Sequence, residues 1–148
     1  MDNLSLYFAY GSNLDSDQMR DRCPGSTEVG IARLLDYEFR INSRGVATVV
    51  RQGGRSVIGL LWAVSGFHLA ALDRFEGVAR GLYRRVLESV ERTDGKSQAY
   101  VYVAADEVIG KPRPGYLERI IEVADARGFP VDYLTELTTW ARPADSAT

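Results

Sequence analysis

One cysteine, Cys23, and one histidine, His68, are all that this 148-residue chain offers to soft-metal or thiol chemistry. A single thiol forms no internal disulfide and no cysteine cluster, and a single imidazole cannot supply a multi-histidine metal site. Cys23, beside Pro24, reads as a packed residue rather than a nucleophile. A Cys-His or Ser-His pair would require His68 to reach the site, so carboxylates remain the natural acid–base candidates. No apolar run approaches the roughly 20 residues that span a bilayer. The opening Met-Asp-Asn has neither the charged nor the apolar region of a signal peptide. A net charge of −2 and a pI near 5.4 leave no broad basic surface, which argues against nucleic acid as the main partner. Internal repeats and low-complexity segments are also lacking. These absences lead us to expect a cytoplasmic protein with no metal and no cofactor, and with neither nucleic acid nor a membrane as partner.

What is present is an ordinary globular composition, 45% hydrophobic and 26% charged, in a chain long enough to bury one core. The expected organisation is a single domain over 1–142 and a frayed tail over 143–148. Fourteen glycines and eight tyrosines suggest a β-rich body with many tight turns. Alternation predicts an opening strand from Leu4 to Tyr10. Further strand-like runs are Glu28–Leu35, Tyr37–Asn42, Val46–Arg51, Val57–Val64, Tyr83–Val90 and Ala99–Ala104. Turns are expected at Arg44-Gly45, at Gln52-Gly53-Gly54 and at Asp94-Gly95, the last a strong hairpin signal. Helices are expected over Asp15–Arg22, over Phe67–Glu76 ending at Gly77, and in the tail. There Leu117, Ile120, Ile121 and Ala124 share one face, and Gly128-Phe129-Pro130 precedes a last helix over Val131–Ala141. Consecutive strands joined by short turns predict an α+β fold: a small, mostly antiparallel sheet curled towards a β-barrel, with helices packed outside.

Two segments bear on chemistry. Tyr10-Gly11-Ser12-Asn13 follows the first strand, where a glycine lets the backbone turn sharply and approach a ligand. Ser12 and Asn13 can occupy the N-cap region of the next helix, and backbone N–H groups at such a junction favour a carboxylate or a polarised carbonyl oxygen. A plain strand-to-helix turn with a serine or asparagine cap fits the same four residues. The second segment is the end of the Phe67–Glu76 helix. Leu69, Leu72 and Glu76 project from one face, which carries the carboxylate into an apolar pocket and raises its pKa. The helix dipole disfavours an anion there by roughly 0.3–1 kcal/mol. A residue that breaks both rules is a candidate general base. The alternative is that Glu76 turns to solvent and pairs with Arg74, Arg80 or Arg84. Asp73 is the nearest competitor, whereas Glu88, Glu91, Glu118 and Glu122 lie in polar stretches and read as solvated faces.

These segments belong to a longer pattern. Leu6-Tyr7-Phe8-Ala9-Tyr10-Gly11-Ser12-Asn13-Leu14, then Leu72-Asp73-Arg74-Phe75-Glu76-Gly77-Val78 with Gly81 and Tyr83, then Lys111-Pro112-Arg113-Pro114-Gly115-Tyr116, and finally Gly128-Phe129-Pro130-Val131-Asp132-Tyr133 appear in order along most of the chain. In this the sequence resembles the γ-glutamylcyclotransferase family, with its AIG2-like fold. The resemblance implies a small β-barrel with surrounding helices, a homodimer, and no cofactor. It implies a substrate loop at Tyr7, Phe8, Ala9, Tyr10, Gly11, Ser12, Asn13 and Leu14, an essential Glu76, and pocket tyrosines at Tyr83, Tyr102 and Tyr116. One departure is the short connection between Phe39 and Val46, where some relatives carry a longer insertion; it bears on which leaving group is accepted.

The implied reaction is attack of the substrate's own α-amine on its γ-carbonyl, releasing 5-oxoproline and an amine. Both reacting groups sit in one molecule, so the protein supplies orientation and one proton-transferring carboxylate rather than a nucleophile. The loop would bind either the developing oxyanion or the substrate's α-carboxylate. Arg84, Arg85 and Arg113 can pair with that carboxylate or serve as surface charges. Beside cyclisation of γ-glutamyl amino acids stand two alternatives, a γ-glutamylamine cyclotransferase acting on another γ-glutamyl amine or protected metabolite, and a non-catalytic small-molecule-binding module.

Overall fold

In the computed structural model, which describes residues 3–141, five strands close into one barrel. The strands are β1 (Ser5–Ala9), β2 (Thr27–Ile41), β3 (Ala47–Val64), β4 (Tyr83–Arg92) and β5 (Gly95–Ala104), arranged β1-β3-β2-β4-β5. Closure is completed by a parallel contact, Tyr7 opposite Tyr100, between β1 and β5; the other four pairings are antiparallel. Two of its seams are short: β2 meets β4 at Arg33 and Leu34, and β1 meets β5 at Tyr7. The expected mixed, mostly antiparallel barrel is therefore what forms.

The helices are α1 (Ser16–Arg22), α2 (Gly66–Phe75), α3 (Tyr116–Ala126) and α4 (Val131–Thr138), with short 3-10 turns at Ser12–Leu14, Val78–Arg80 and Thr139–Ala141. The tail proposed for 143–148 lies outside the described residues. The expected apolar face of α3 does bury Leu117, Ile120 and Ala124, which join Leu137 of α4 against the barrel core of Phe8, Leu34, Leu60, Val49 and Val101. On β1 the alternation separates two cores. Phe8 and Tyr10 enter this one, while Tyr7 and Ala9 meet Met19, Cys23, Leu69 and Leu72, brought in by α1 and α2. Both faces of β1 are thus buried, and the loop that follows it is held from two sides.

The turn expected at Gln52-Gly53-Gly54 does not form. Those residues lie inside β3, which joins all but Val46 of the runs Val46–Arg51 and Val57–Val64, as β2 joins all but Asn42 of Glu28–Leu35 and Tyr37–Asn42. The pairing passes from Leu35 opposite Ser56 to Tyr37 opposite Arg51, so Asp36 faces the whole glycine-bearing stretch. Asp36 adopts φ 63° and its carboxylate accepts a hydrogen bond from the Gly54 N–H at 3.2 Å. The glycines make a bulge, and the ladder resumes beyond it. Gly59 serves a different need. A Cβ there would lie 2.7 Å from Phe8 Cζ, so only glycine lets β3 pass this close to β1.

α2 begins at Ser65, whose hydroxyl accepts from the His68 N–H while the His68 ring accepts from the Ser65 N–H at 3.1 Å. This reciprocal cap fixes the helix start. The helix ends at Glu76, followed by Gly77 at φ 69°, the left-handed stop expected of glycine. No helix among the described residues is long and apolar enough to cross a membrane.

Candidate active site

β1 delivers the chain to Gly11, after which Ser12–Leu14 form a 3-10 turn rather than the first turn of α1. The helix starts at Ser16, one residue later than expected, and the extra turn moves its cap past Ser12 and Asn13. Asp15, not Ser12 or Asn13, is the N-cap, its carboxylate accepting from the Asp17 N–H at 3.0 Å. Ser12 and Asn13 are left for other work. Hydrogen bonds within the turn run from Leu14 N–H to Gly11 and from Asp15 N–H to Ser12, so the turn itself does not use the amides of Ser12 and Asn13. The Asn13 side chain is buried and acts as a hub. Its amide donates to the Tyr7 hydroxyl at 2.9 Å, and its carbonyl accepts from Gln18 at 3.1 Å and Arg22 at 3.2 Å.

The same recess is bounded by Tyr7, Tyr10, Gly11, Ser12, Asn13, Ala47, Glu76, Tyr83, Tyr102 and Tyr116. All but Ala47 belong to the residues singled out from the sequence. Phe8, Ala9 and Leu14 do not line it. Strand alternation and tight packing send Phe8 and Leu14 into the barrel core and Ala9 into the core under α2. Their part is to anchor the loop.

Phenol hydroxyls organise the walls. Tyr83 donates to the Ala47 carbonyl at 2.7 Å, and the Ala47 N–H donates back to the Tyr116 hydroxyl at 3.0 Å. Tyr10 donates to the Tyr102 carbonyl at 2.6 Å, and Tyr102 donates to Asp73 at 2.7 Å. Because the Tyr7 and Tyr116 oxygens each accept a bond from the chain, their own protons remain for a ligand. Burial pushes the phenols of Tyr7, Tyr10, Tyr83 and Tyr102 well above their ordinary value and Tyr116 to about 12, so the walls are neutral donors at physiological pH.

Glu76 enters from the end of α2 with its side chain only 19% exposed. Burial raises its pKa, and the nearby cations Arg22 and Arg44 oppose that rise. Its ion-pair partner is Arg22, at 3.9 Å, rather than Arg74, Arg80 or Arg84. Asp73 faces a different set of groups. It accepts from Tyr102 and pairs with Arg85 at 3.3 Å, and it is not part of the recess wall. Glu88, read as solvated, instead accepts from the Tyr37 hydroxyl at 2.6 Å and pairs with Arg51, away from this site. Cys23 and His68 also lie outside the recess. Burial pushes the Cys23 thiol to about 11, and the His68 ring, besides capping α2, contacts the Pro24 carbonyl at 2.6 Å.

The recess opens into a wider hollow of about 330 Å³ that shares Ser12, Glu76, Tyr83 and Tyr116 with it. Four arginines, Arg22, Arg44, Arg80 and Arg113, line this outer space. Only Arg113 was a candidate from sequence for holding a carboxylate. Arg22 carried only the weak signal of its i, i+4 spacing from Gln18 on α1, and Arg44, in the β2–β3 turn, carried none.

Barrel, recess and hollow together place one buried carboxylate beside polar donors at an open cavity. The sequence pattern of the AIG2-like family matches residues 56–137. The chain is 32% identical to the gamma-glutamylcyclotransferase of Homo sapiens over 143 residues, covering 89% of this chain and 76% of the relative. It is 30% identical to that of Bos taurus over 147 residues, covering 90% and 77%. Among solved structures, a gamma-glutamyl cyclotransferase superposes with a TM-score of 0.85 at 29% identity, over 92% of this chain and 87% of that one. This protein belongs to the AIG2-like, γ-glutamylcyclotransferase family.

Proposed function

We propose that the protein is a γ-glutamylcyclotransferase that converts γ-glutamyl amino acids to 5-oxoproline and the free amino acid, with Glu76 carrying the proton. The observation that carries this reading is the burial of Glu76 in one recess with the Gly11-Ser12 backbone. The glutamyl chain folds at the mouth of the recess, beside Glu76, so that its α-amine meets its own γ-carbonyl, an orientation effect worth several powers of ten. A C–N bond forms to the γ-carbon, and the bond from that carbon to the departing nitrogen breaks. The α-ammonium gives up two protons on its way to the lactam. Glu76 accepts the first and returns it to the leaving nitrogen; the second also ends on that nitrogen, so the product amine departs as an ammonium ion and no net proton is exchanged. Acid–base help of this kind contributes about 10²–10⁴ in rate.

The amides of Ser12 and Asn13, with the Tyr7 and Tyr116 hydroxyls, supply neutral donors for the oxyanion or the glutamyl α-carboxylate. Phe8, Ala9 and Leu14 hold that loop in place. The domain is taken as 1–142, acting in the cytoplasm as a homodimer; light scattering that finds a monomer at micromolar concentration would remove the last element. The experiment for the activity itself is 5-oxoproline release from a panel of γ-glutamyl amino acids and γ-glutamyl amines. Release from the amino-acid conjugates supports the reading. No release from any member, by folded protein, contradicts it.

A further inference from the structure

The outer hollow has a charge that cyclisation alone does not require. Its lining holds four arginines against one glutamate, a net charge of +3, in a chain whose net charge is −2. The four come from four separate places. Arg22 ends α1. Arg44 sits in the β2–β3 turn, Arg80 in the 3-10 turn between the left-handed glycines Gly77 and Gly81, and Arg113 just before α3. Only Arg22 is paired across the hollow, with Glu76. Among the described residues, Arg44, Arg80 and Arg113 form no ion pair with a carboxylate. Two of these sites are nonetheless built rather than loose. The Arg44 N–H donates to the Asn42 side chain at 3.1 Å, and Arg113 Nε donates to the Arg44 carbonyl at 2.9 Å, which fixes one guanidinium against the turn that carries the other. Asn42, which anchors that turn, is fully buried. Like charges held together repel one another, and a bound anion relieves the repulsion.

The position of these cations relative to the reacting groups decides which part of a substrate they meet. The inner recess carries the loop amides and tyrosine hydroxyls, and no arginine lines it. Glu76 stands between recess and hollow, bordering both. With the γ-carbonyl held at Glu76, against the donors of the recess, the departing amine extends into the hollow, among the arginines. A guanidinium binds carboxylates through paired N–H donors, and three uncommitted ones exceed the need of a single carboxylate.

We infer that the preferred leaving amine is a dicarboxylic amino acid, so that the best substrates are γ-glutamyl conjugates such as γ-glutamyl-glutamate and γ-glutamyl-aspartate. The leaving portion of such a substrate brings two carboxylates into the hollow, where three arginines have no ion-pair partner among the described residues. A γ-glutamyl amine with no carboxylate meets the arginines with nothing to offer, and a γ-glutamyl-lysine adds a repelled cation. This inference rests on the cyclotransferase reading and narrows it.

The test compares kcat/KM for γ-glutamyl-glutamate, γ-glutamyl-alanine and γ-glutamyl-ethylamide by release of 5-oxoproline. The expected order is that given, with glutamate ahead of alanine by about 10-fold or more, the effect of one additional charge-assisted contact. Arg80→Gln and Arg44→Gln, measured separately, should each cut that preference to below about threefold, and raised salt should shrink it in the native protein. Equal turnover of all three conjugates overturns the inference while leaving the cyclotransferase reading intact; no turnover of any of them strikes that reading instead. If Arg44→Gln and Arg80→Gln lower all three rates alike, the arginines hold the glutamyl α-carboxylate and the inference is again overturned. Thermal melting matched to wild type keeps either result from being an effect of unfolding.

Discussion

Removing the Arg22 guanidinium separates electrostatic tuning of Glu76 from simple pocket shape. Arg22 Nη1 lies 3.9 Å from Glu76 Oε2, with side chains 24% and 19% exposed. At that separation two unit charges attract by about 1 kcal/mol in bulk water and about 4 kcal/mol at the intermediate dielectric of a protein surface. For a pair this well covered but still in reach of solvent, about 2 kcal/mol is a reasonable working value, roughly 30-fold in proton affinity. Burial already raises the Glu76 pKa, and Arg22 is the stronger of the two cations that oppose the rise. Arg22→Gln therefore raises it further, and a larger share of the enzyme holds Glu76 protonated at mildly acidic pH. The assay is kcat/KM for γ-glutamyl-alanine between about pH 5 and pH 9. The acid limb should move to higher pH, and on that limb the variant should fall about 30-fold below wild type. Some loss should also persist on the alkaline plateau, because Arg22 donates to Asn13 and lies 4.6 Å from the Phe75 ring centre. Arg22→Lys keeps the charge and should bring the limb back towards its original position. An acid limb that stays put in Arg22→Gln, or moves to lower pH, would refute the reasoning.

Three other outcomes follow from the geometry. Gly59→Ala should destabilise the barrel by about 1–3 kcal/mol in urea unfolding, since its methyl would press on the Phe8 ring and the β1 backbone. Asp73→Asn should keep kcat within about tenfold of wild type, because the amide oxygen can still accept from Tyr102 and Asp73 does not line the recess. The third concerns stability against pH. A carboxyl whose pKa is raised by folding is most compatible with the fold while protonated, so its contribution is full below the unfolded value and declines as pH rises through the folded one. Glu76→Gln should thus be at least as stable as wild type at pH 8, with the difference vanishing below the ordinary glutamate value of 4.5; a melting series across pH measures this.

Elements governed by local signals were legible in the sequence. The Leu69, Leu72, Glu76 spacing and the Gly77 stop specify α2 and the direction of its last side chain, and Asp94-Gly95 marks the β4–β5 hairpin. Gln52-Gly53-Gly54 was misread because a glycine pair looks alike in a turn and in a bulge. Only the partner strand, through Asp36 and the resumed pairing, decides between them. The Tyr10–Asn13 loop and Glu76 could be joined through the family resemblance. Most residues that line the recess are then among those singled out from the sequence, although packing into the two flanking cores removes Phe8 and Ala9 from the surface that a linear motif suggests. Of the outer arginines only Arg113 was a candidate for holding a carboxylate; its grouping with Arg22, Arg44 and Arg80 was not foreseen, because the four lie far apart in sequence and meet only once the barrel has closed.

The central claim is that Glu76 moves the proton, and the most direct measurement is single-enzyme 5-oxoproline release by Glu76→Gln beside wild type. Glutamine preserves size and hydrogen bonding in the recess and removes the base. The account predicts a kcat lower by at least about 10², with 5-oxoproline still binding and the melting transition unchanged or slightly higher. A folded Glu76→Gln protein that turns over γ-glutamyl substrates at near the wild-type rate would contradict it.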